Sequence, residues 1–262
     1  RAIVEVLLGR GDQVRIVSRK RYPEIEALGA ECISGDIRDM ELMVYCCRGM
    51  DAVFHAAALP GIWGNVRTFA EVNIDGTRSV ITACKRRGVG KLVYTSSPSV
   101  VFDMKDECGI DESTPYPKQY FNPYSQTKAF AESCVLQANG EDGLLTCALR
   151  PHLLWGPRDN HLIPRLVSRA MKRRLRIVGL GVNKVDLTYI DNAAQAHVLA
   201  CDAMDAGRVS GQSYFISDDN PVLLWEWINH LLEQLEIPKV NKRVPERVAY
   251  GAGFCYEELY EL

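Results

Sequence analysis

Long apolar runs are missing from this 262-residue chain: no stretch reaches the ~18 consecutive apolar residues of a bilayer-crossing helix, so no membrane segment is read within it. An excess of charge of one sign is missing too. Lysine and arginine total 31 against 33 aspartate and glutamate, a net charge of −2, which gives no whole-molecule field to draw the chain onto nucleic acid or an anionic membrane. The nine cysteines (Cys32, Cys46, Cys47, Cys84, Cys108, Cys134, Cys147, Cys201 and Cys255) include no Cys-x-x-Cys pair and have no histidine cluster beside them. Neither a zinc site nor any other metal site is read, and their odd number suggests no disulfide framework. Most lie in apolar stretches, where cysteine acts as a small hydrophobe, and this usage fits a reducing cytoplasm. What is present is an ordinary globular composition, 47% hydrophobic and 24% charged, long enough for one good-sized core or a core plus a small lobe. A small molecule is the expected partner.

One short string carries chemistry. Tyr124-Ser125-Gln126-Thr127-Lys128 sets a phenol and an ammonium four residues apart, and positions i and i+4 share a helix face. A neighbouring cation favours phenolate and lowers a tyrosine pKa from its usual ~10, as a proton-transfer group working near neutrality requires. Two fixed positions in five recur by chance, so context decides. Lys91-Leu92-Val93-Tyr94-Thr95-Ser96-Ser97 reads as a short buried strand ending in hydroxyls, and Asn122-Pro123 opens the helix that bears Tyr124 and Lys128. The blander reading puts both residues on a solvated helix face and leaves Ser97 capping a turn.

Helices and apolar runs alternate along the chain. Helices are expected at 2–8, 24–28, 41–48, 66–87 and from 123, with strands at 13–17, 31–34, 52–57, 91–95 and 144–149. Strands written as continuous apolar runs between helices indicate an α/β fold with a doubly wound parallel sheet covered on both faces. Such sheets bind ligands beyond the carboxyl ends of their strands, where Asp36, residues 55–58, Ser97 and Pro151 would project.

Six motifs recur in order: Gly35-Asp36-Ile37-Arg38-Asp39, Phe54-His55-Ala56-Ala57-Ala58, Val72-Asn73-Ile74-Asp75-Gly76-Thr77, Thr95-Ser96-Ser97, Tyr124 to Lys128, and Leu149-Arg150-Pro151 leading to Trp155-Gly156-Pro157. Together they resemble the extended short-chain dehydrogenase/reductase family over nearly the whole chain. His55 to Ala58, Gly61-Ile62-Trp63-Gly64 and residues 94–102 are most similar to its 3β-hydroxysteroid dehydrogenase-like branch, which includes bacterial 2-alkyl-3-oxoalkanoate reductases. The resemblance implies a Rossmann-like dinucleotide domain over 1–152 and a small, mainly helical substrate lobe over 153–262, of which 183–220 returns to the sheet. It also implies that Tyr124 exchanges a proton with the substrate oxygen, that Ser97 (or Ser96, one register away) hydrogen-bonds that oxygen, and that Asn73 supports the site. Lys128 would hold the nicotinamide ribose and depress the tyrosine pKa.

Cofactor choice turns on the end of the second strand. An acidic residue there reads the ribose 2′-hydroxyl of NAD, whereas Ser18 and Arg19 favour the 2′-phosphate of NADP, with NAD remaining open. By resemblance, Asp36 and Ile37 flank the adenine, His55, Ala56 and Ala57 line the cofactor cleft, and Pro151 and His152 lie near the carboxamide. The family opens with a strand and a glycine-rich turn that cradles pyrophosphate, whereas Arg1 here already falls inside the first helix and no Gly-x-x-Gly-x-x-Gly follows. The chain therefore reads as a fragment lacking its N-terminal strand, and its ending over 250–262 reads as open.

The activity expected is NAD(P)-dependent interconversion of a secondary alcohol and a ketone on an apolar substrate, a 3β-hydroxysteroid or a 3-oxoacyl compound, and a homodimer is compatible with this class. The rivals are a nucleotide-sugar epimerase or dehydratase, a noncatalytic NADP-binding protein, and a fragment without independent function. Smaller features take structural readings. The basic run 169–176 is a solvated amphipathic face with Ala170, Met171 and Leu175 turned inward, His55 is a satisfied structural histidine, His161 is open, and Trp63 lies on a loop suited to substrate contact.

Overall fold

The computed structural model describes residues 1–205 and 207–261, with side chains as far as Phe254, so Cys255 and Leu262 from the sequence reading lie outside it. In chain order the first elements are α1 Ala2–Gly9, β1 Arg15–Ser18, α2 Pro23–Glu26, β2 Glu31–Ser34, α3 Met40–Cys46, β3 Ala52–His55, α4 Val66–Phe69, α5 Gly76–Arg87, β4 Lys91–Thr95, α6 Pro123–Gln137 and β5 Leu145–Pro151. There follow β6 Leu153–Trp155, α7 Leu162–Met171, β7 Ile177–Val178, β8 Lys184–Val185, β9 Leu187–Tyr189, α8 Ile190–Met204, β10 Ser213–Ile216, β11 Val222–Leu223, α9 Leu224–Gln234, β12 Arg243–Val244 and α10 Glu246–Glu261.

Two compact units result, one comprising Arg1–His152 with Ile190–Ile216 and the other Leu153–Tyr189 with Ser217–Leu262. In the first, β10, β5, β4 and β3 form a parallel sheet in that order, and β1 and β2 form a separate parallel pair. The architecture is the doubly wound, Rossmann-like arrangement that the apolar runs announce. Leu92, Val93 and Tyr94 of β4 and Cys147, Ala148 and Leu149 of β5 are at most 1% exposed because helices cover both faces of these central strands. Each large aliphatic side chain so buried contributes about 1.5–3 kcal/mol. Val80, Ile81, Ala83 and Cys84 of α5 and Ala131 and Val135 of α6 pack against one face, and Ala200, Cys201 and Met204 of α8 against the other.

Helix starts follow local chemistry. Asp39 accepts from the Leu42 amide at 3.0 Å and Asn122 from the Ser125 amide at 2.8 Å, each satisfying a donor that a helix N-terminus leaves orphaned. Pro123 occupies the first position of α6, where its missing N–H costs nothing. Gly88, at φ +68°, ends α5 in the left-handed region.

The second unit holds three two-stranded ladders, β6 with β9, β7 with β12 and β8 with β11, besides α7, α9 and α10. Ala170, Ile177, Ile228, Leu232 and Val240 make its core, and Trp155 meets Tyr189 and Trp227 edge-on.

Three expectations need correction. The single helix over 66–87 is interrupted by a π turn at Ala70–Asp75, because one extra residue there turns Asn73 inward to partners described below. The segment that rejoins the sheet unit is 190–216 and not 183–220, since 184–185 and 187–189 pair with β11 and β6 inside the second unit. Helix α7 ends at Met171, where Arg173 adopts φ +53°, and Met171 is 69% exposed instead of buried beside Ala170. Among the described residues no helix is long and apolar enough to cross a membrane.

Candidate active site

The hydroxyls and the amine converge where β4 ends and α6 begins. Ser97 lies two residues past β4, and its side chain acts on the Tyr124 phenol in the first turn of α6, opposing the rise of that group's pKa. Ser97 also caps the short turn after it: its Oγ accepts from the Ser99 amide at 3.3 Å and lies 2.9 Å from the Ser99 hydroxyl. The turn-capping reading of Ser97 holds. Ser96 points elsewhere. Its amide bonds the Leu149 carbonyl at 2.6 Å, and its buried Oγ has no partner among the described residues.

Lys128 is 2% exposed, which removes the solvated-face reading. Its Nζ donates to the Thr95 carbonyl at 2.6 Å and stands 4.0 Å above the Tyr94 ring, a cation–π contact in a dry setting. Burial lowers its pKa to about 7, with Glu132 one turn further along α6 pulling the other way. The expected depression of the tyrosine by this lysine does not hold in this geometry. Tyr124 is raised above its ordinary value by burial, and the opposing influence is the Ser97 hydrogen bond. With its ammonium turned to Thr95 and Tyr94, Lys128 leaves Tyr124 a neutral phenol at pH 7.

Asn73 is a brace. From the π turn its Oδ1 accepts from the Leu59 amide at 2.7 Å, and its Nδ2 donates to the Leu59 carbonyl at 3.2 Å and to Thr127 Oγ1 at 3.0 Å. The loop after β3 is thus tied to the helix carrying Tyr124 and Lys128.

His55, expected to line the cofactor cleft, turns its ring inside the fold. Its Nε2 lies 2.9 Å from Thr77 Oγ1, and that hydroxyl donates its own hydrogen to the Asn73 carbonyl at 2.6 Å. Thr77 must then accept from the histidine, which fixes the Nε2–H tautomer. Burial, with the Lys128 charge adding to it, lowers the His55 pKa from 6.5 to about 3. An unfolded imidazole binds its proton near 6.5 and the folded one only near 3, so this group's contribution to stability falls as pH drops through that window. Between pH ~6.5 and ~5 the protein is expected to lose about 1.6 kcal/mol of unfolding free energy through His55. Denaturant titrations at the two pH values check this against His55→Gln, whose loss should be smaller; parallel losses would remove His55 as the cause.

The remaining cofactor candidates surround the ends of β1, β2, β3 and β5. Arg19 is exposed just beyond β1, and Ser18 is half-buried with its hydroxyl on the Lys20 carbonyl at 2.5 Å. Asp36 is held below its ordinary carboxylate value, chiefly by its hydrogen bonds from Arg38 at 3.0 and 2.9 Å, with the Arg19 charge contributing. Ile37 packs onto α5: a Cβ at Gly76 would sit 2.6 Å from its Cδ1, so a side chain there would have to displace Ile37. Ala56 and Ala57 are exposed beyond β3, Pro151 is buried at the end of β5, and the half-buried His152 donates its amide to Ile216 at 3.0 Å. An open alanine shelf, the partnerless buried Ser96 hydroxyl and an exposed arginine beside an aspartate fit a dinucleotide laid across these strand ends.

Sequence reading missed Thr77 and Thr127 as links in the hydrogen-bonded brace, although both lie inside quoted motifs. It also missed Glu132, Arg150 and Tyr116. Glu132 is 0% exposed and Arg150 3%, joined by three contacts of 2.5, 3.1 and 3.2 Å, and the Tyr116 hydroxyl donates to the same carboxylate at 2.7 Å. The spacing of four between Lys128 and Glu132 was the available signal.

Against known proteins, the model of the 3-beta hydroxysteroid dehydrogenase/isomerase family matches residues 1–245. The chain is 44% identical to a 2-alkyl-3-oxoalkanoate reductase of Stenotrophomonas maltophilia, over 100% of this chain and 80% of that protein. It is 43% identical to a 2-alkyl-3-oxoalkanoate reductase of Shewanella oneidensis, over 100% and 70%. Among solved structures, MoeE5 in complex with UDP-glucose and NAD aligns with a TM-score of 0.76 at 27% identity, covering 94% of this chain and 81% of that one.

Proposed function

The chain belongs to the 3-beta hydroxysteroid dehydrogenase/isomerase family, and from that premise we propose that it reduces the ketone of an apolar 3-oxoalkanoate, with Tyr124 as proton donor. It is an NAD(P)-dependent oxidoreductase acting between CH–OH and C=O groups. The observation that carries the reductive reading is the likeness to two 2-alkyl-3-oxoalkanoate reductases. A buried phenol that keeps its proton at pH 7 fits it, since that proton can be given to a carbonyl oxygen.

When bound, the reduced nicotinamide supplies a hydride to the carbonyl carbon. Tyr124 Oη gives its proton to the carbonyl oxygen, so that hydride and proton together convert C=O to CH–OH. Ser97 Oγ donates a hydrogen bond to that same oxygen while charge builds on it. Lys128, protonated below about pH 7, supplies positive charge beneath the site and donors for ribose hydroxyls. Asn73 keeps the β3 loop and α6 in register. Ser96, Ala56, Ala57, Pro151 and His152 line the strand ends against the dinucleotide.

NADP is the preferred cofactor in this reading, because Arg19 is a free-standing guanidinium suited to a 2′-phosphate. Arg19→Ala is expected to raise the Kd for NADPH about 10-fold or more, the worth of a charge-assisted hydrogen bond, and to leave NADH within about twofold. Fluorescence titration of the two reduced cofactors decides it; equal changes would mean that Arg19 does not read the phosphate.

The test of the activity is oxidation of NADPH by a 2-alkyl-3-oxoalkanoate, set against reduction of NAD by a 3β-hydroxysteroid. Faster turnover of the ketone is expected. Turnover of the steroid alone would reverse the assignment. An epimerase shares the fold and the tyrosine–lysine pair, but Ser18 stands where that alternative predicts an acidic residue.

A further inference from the structure

Residues 101–122, between β4 and α6, form a connection longer than most, and two carboxylates pin it. Glu112 Oε1 accepts from the Phe215 amide on β10 at 2.8 Å, covering the edge of the sheet. Tyr116, further along, donates to Glu132 inside α6 at 2.7 Å. Past this second pin Tyr120 packs with buried Val100, Val101 and Ala129, and the chain then brings Phe121 out, 55% exposed. Phe121 meets Phe102 edge-to-face at 6.5 Å and 85°. Phe102 lies five residues after Ser97 and Phe121 three before Tyr124, so both rings sit on the connection that joins the two hydroxyls handling the ketone oxygen. An exposed ring held edge-on against a half-buried one on the segment between the reacting groups is a surface for an apolar ligand.

We propose that Tyr116 is a positioning residue: its hydrogen bond to Glu132 holds the Phe102–Phe121 pair as the wall that receives the alkyl chain of the substrate. The inference rests on the ketone-reductase reading. Tyr116→Phe keeps the ring and leaves the Glu132–Arg150 pair intact, so only the pin is lost; Phe121→Ala removes the wall itself.

The experiment measures steady-state kinetics of wild type, Tyr116→Phe, Phe121→Ala and the double variant on 3-oxoalkanoates of increasing chain length at saturating NADPH. Each single variant should raise KM for the long chains about fivefold or more, leave kcat within about twofold, and barely alter the short chains. The double variant should be no worse than Phe121→Ala, because both changes disable one contact. Unchanged melting temperature and NADPH affinity separate this pattern from a merely structural defect. A wild-type KM in Tyr116→Phe, a loss falling on kcat equally for all chain lengths, or multiplying effects in the double variant would overturn the proposal. An inactive wild type across the whole series would instead overturn the reductase reading.

Discussion

Tyr124→Phe is expected to cut kcat by about 100- to 10,000-fold, the range of a lost general acid, while the Kd for NADPH stays within about twofold. The prediction follows from how the residue is held. Tyr124 is half-buried at the first turn of α6, its ring fixed by a helix that begins at Pro123 under the Asn122 cap. Phenylalanine fills the same space, so the backbone and the Lys128 contacts have no reason to move. Ser97 keeps Ser99 at 2.9 Å, leaving no stranded hydroxyl. Only the proton is gone. Ser97→Ala should cost less, because it removes a hydrogen bond to the oxygen but not the acid itself. Stopped-flow measurement of ketone reduction at saturating NADPH reads the chemical step directly; a Tyr124→Phe variant reducing the ketone at a tenth of the wild-type rate or better would remove tyrosine from the proton path.

The sheet and the hydroxyl–tyrosine–lysine arrangement were legible because each rests on a local rule. Apolar runs in β4 and β5 state that both faces are covered, and Asn122-Pro123 states where α6 starts. Spacing places Tyr124 and Lys128 on one face but does not say which way a flexible four-carbon side chain bends. The Thr95 carbonyl and the Tyr94 ring capture the ammonium, and both come from a strand about 30 residues away. The π turn was illegible for a related reason: the periodicity of 66–87 survives one inserted residue, and what rewards the insertion is the reach of Asn73 to Leu59 and Thr127. Met171 misled through its neighbours, since the apolar spacing assumed a helix that continues, and Arg173 ends it.

Glu132→Leu is expected to destabilise the protein by about 3–5 kcal/mol, the cost of leaving a buried charge without its partner. Arg150 stays protonated at any accessible pH, is 3% exposed, and already carries one buried nitrogen, Nη1, without a partner. Removing the carboxylate therefore strands the cation beneath Phe215, with its centre 5.2 Å from that ring and its side chain 3% exposed. Tyr116 loses its acceptor in the same stroke. The cure distinguishes this account from simple loss of packing: Glu132→Leu with Arg150→Met replaces the pair by apolar groups of similar volume and should recover most of the loss. A second consequence falls on Lys128. Glu132 is what holds that lysine's pKa up against burial, so in the double variant the lysine sheds its proton at a lower pH than the wild-type value of about 7. Unfolding free energies from denaturant titration, with unchanged m-values, measure the first effect. If Glu132→Leu cost less than ~1 kcal/mol, or if the double variant were no more stable than the single one, the ion pair would not be what holds α6 against β5.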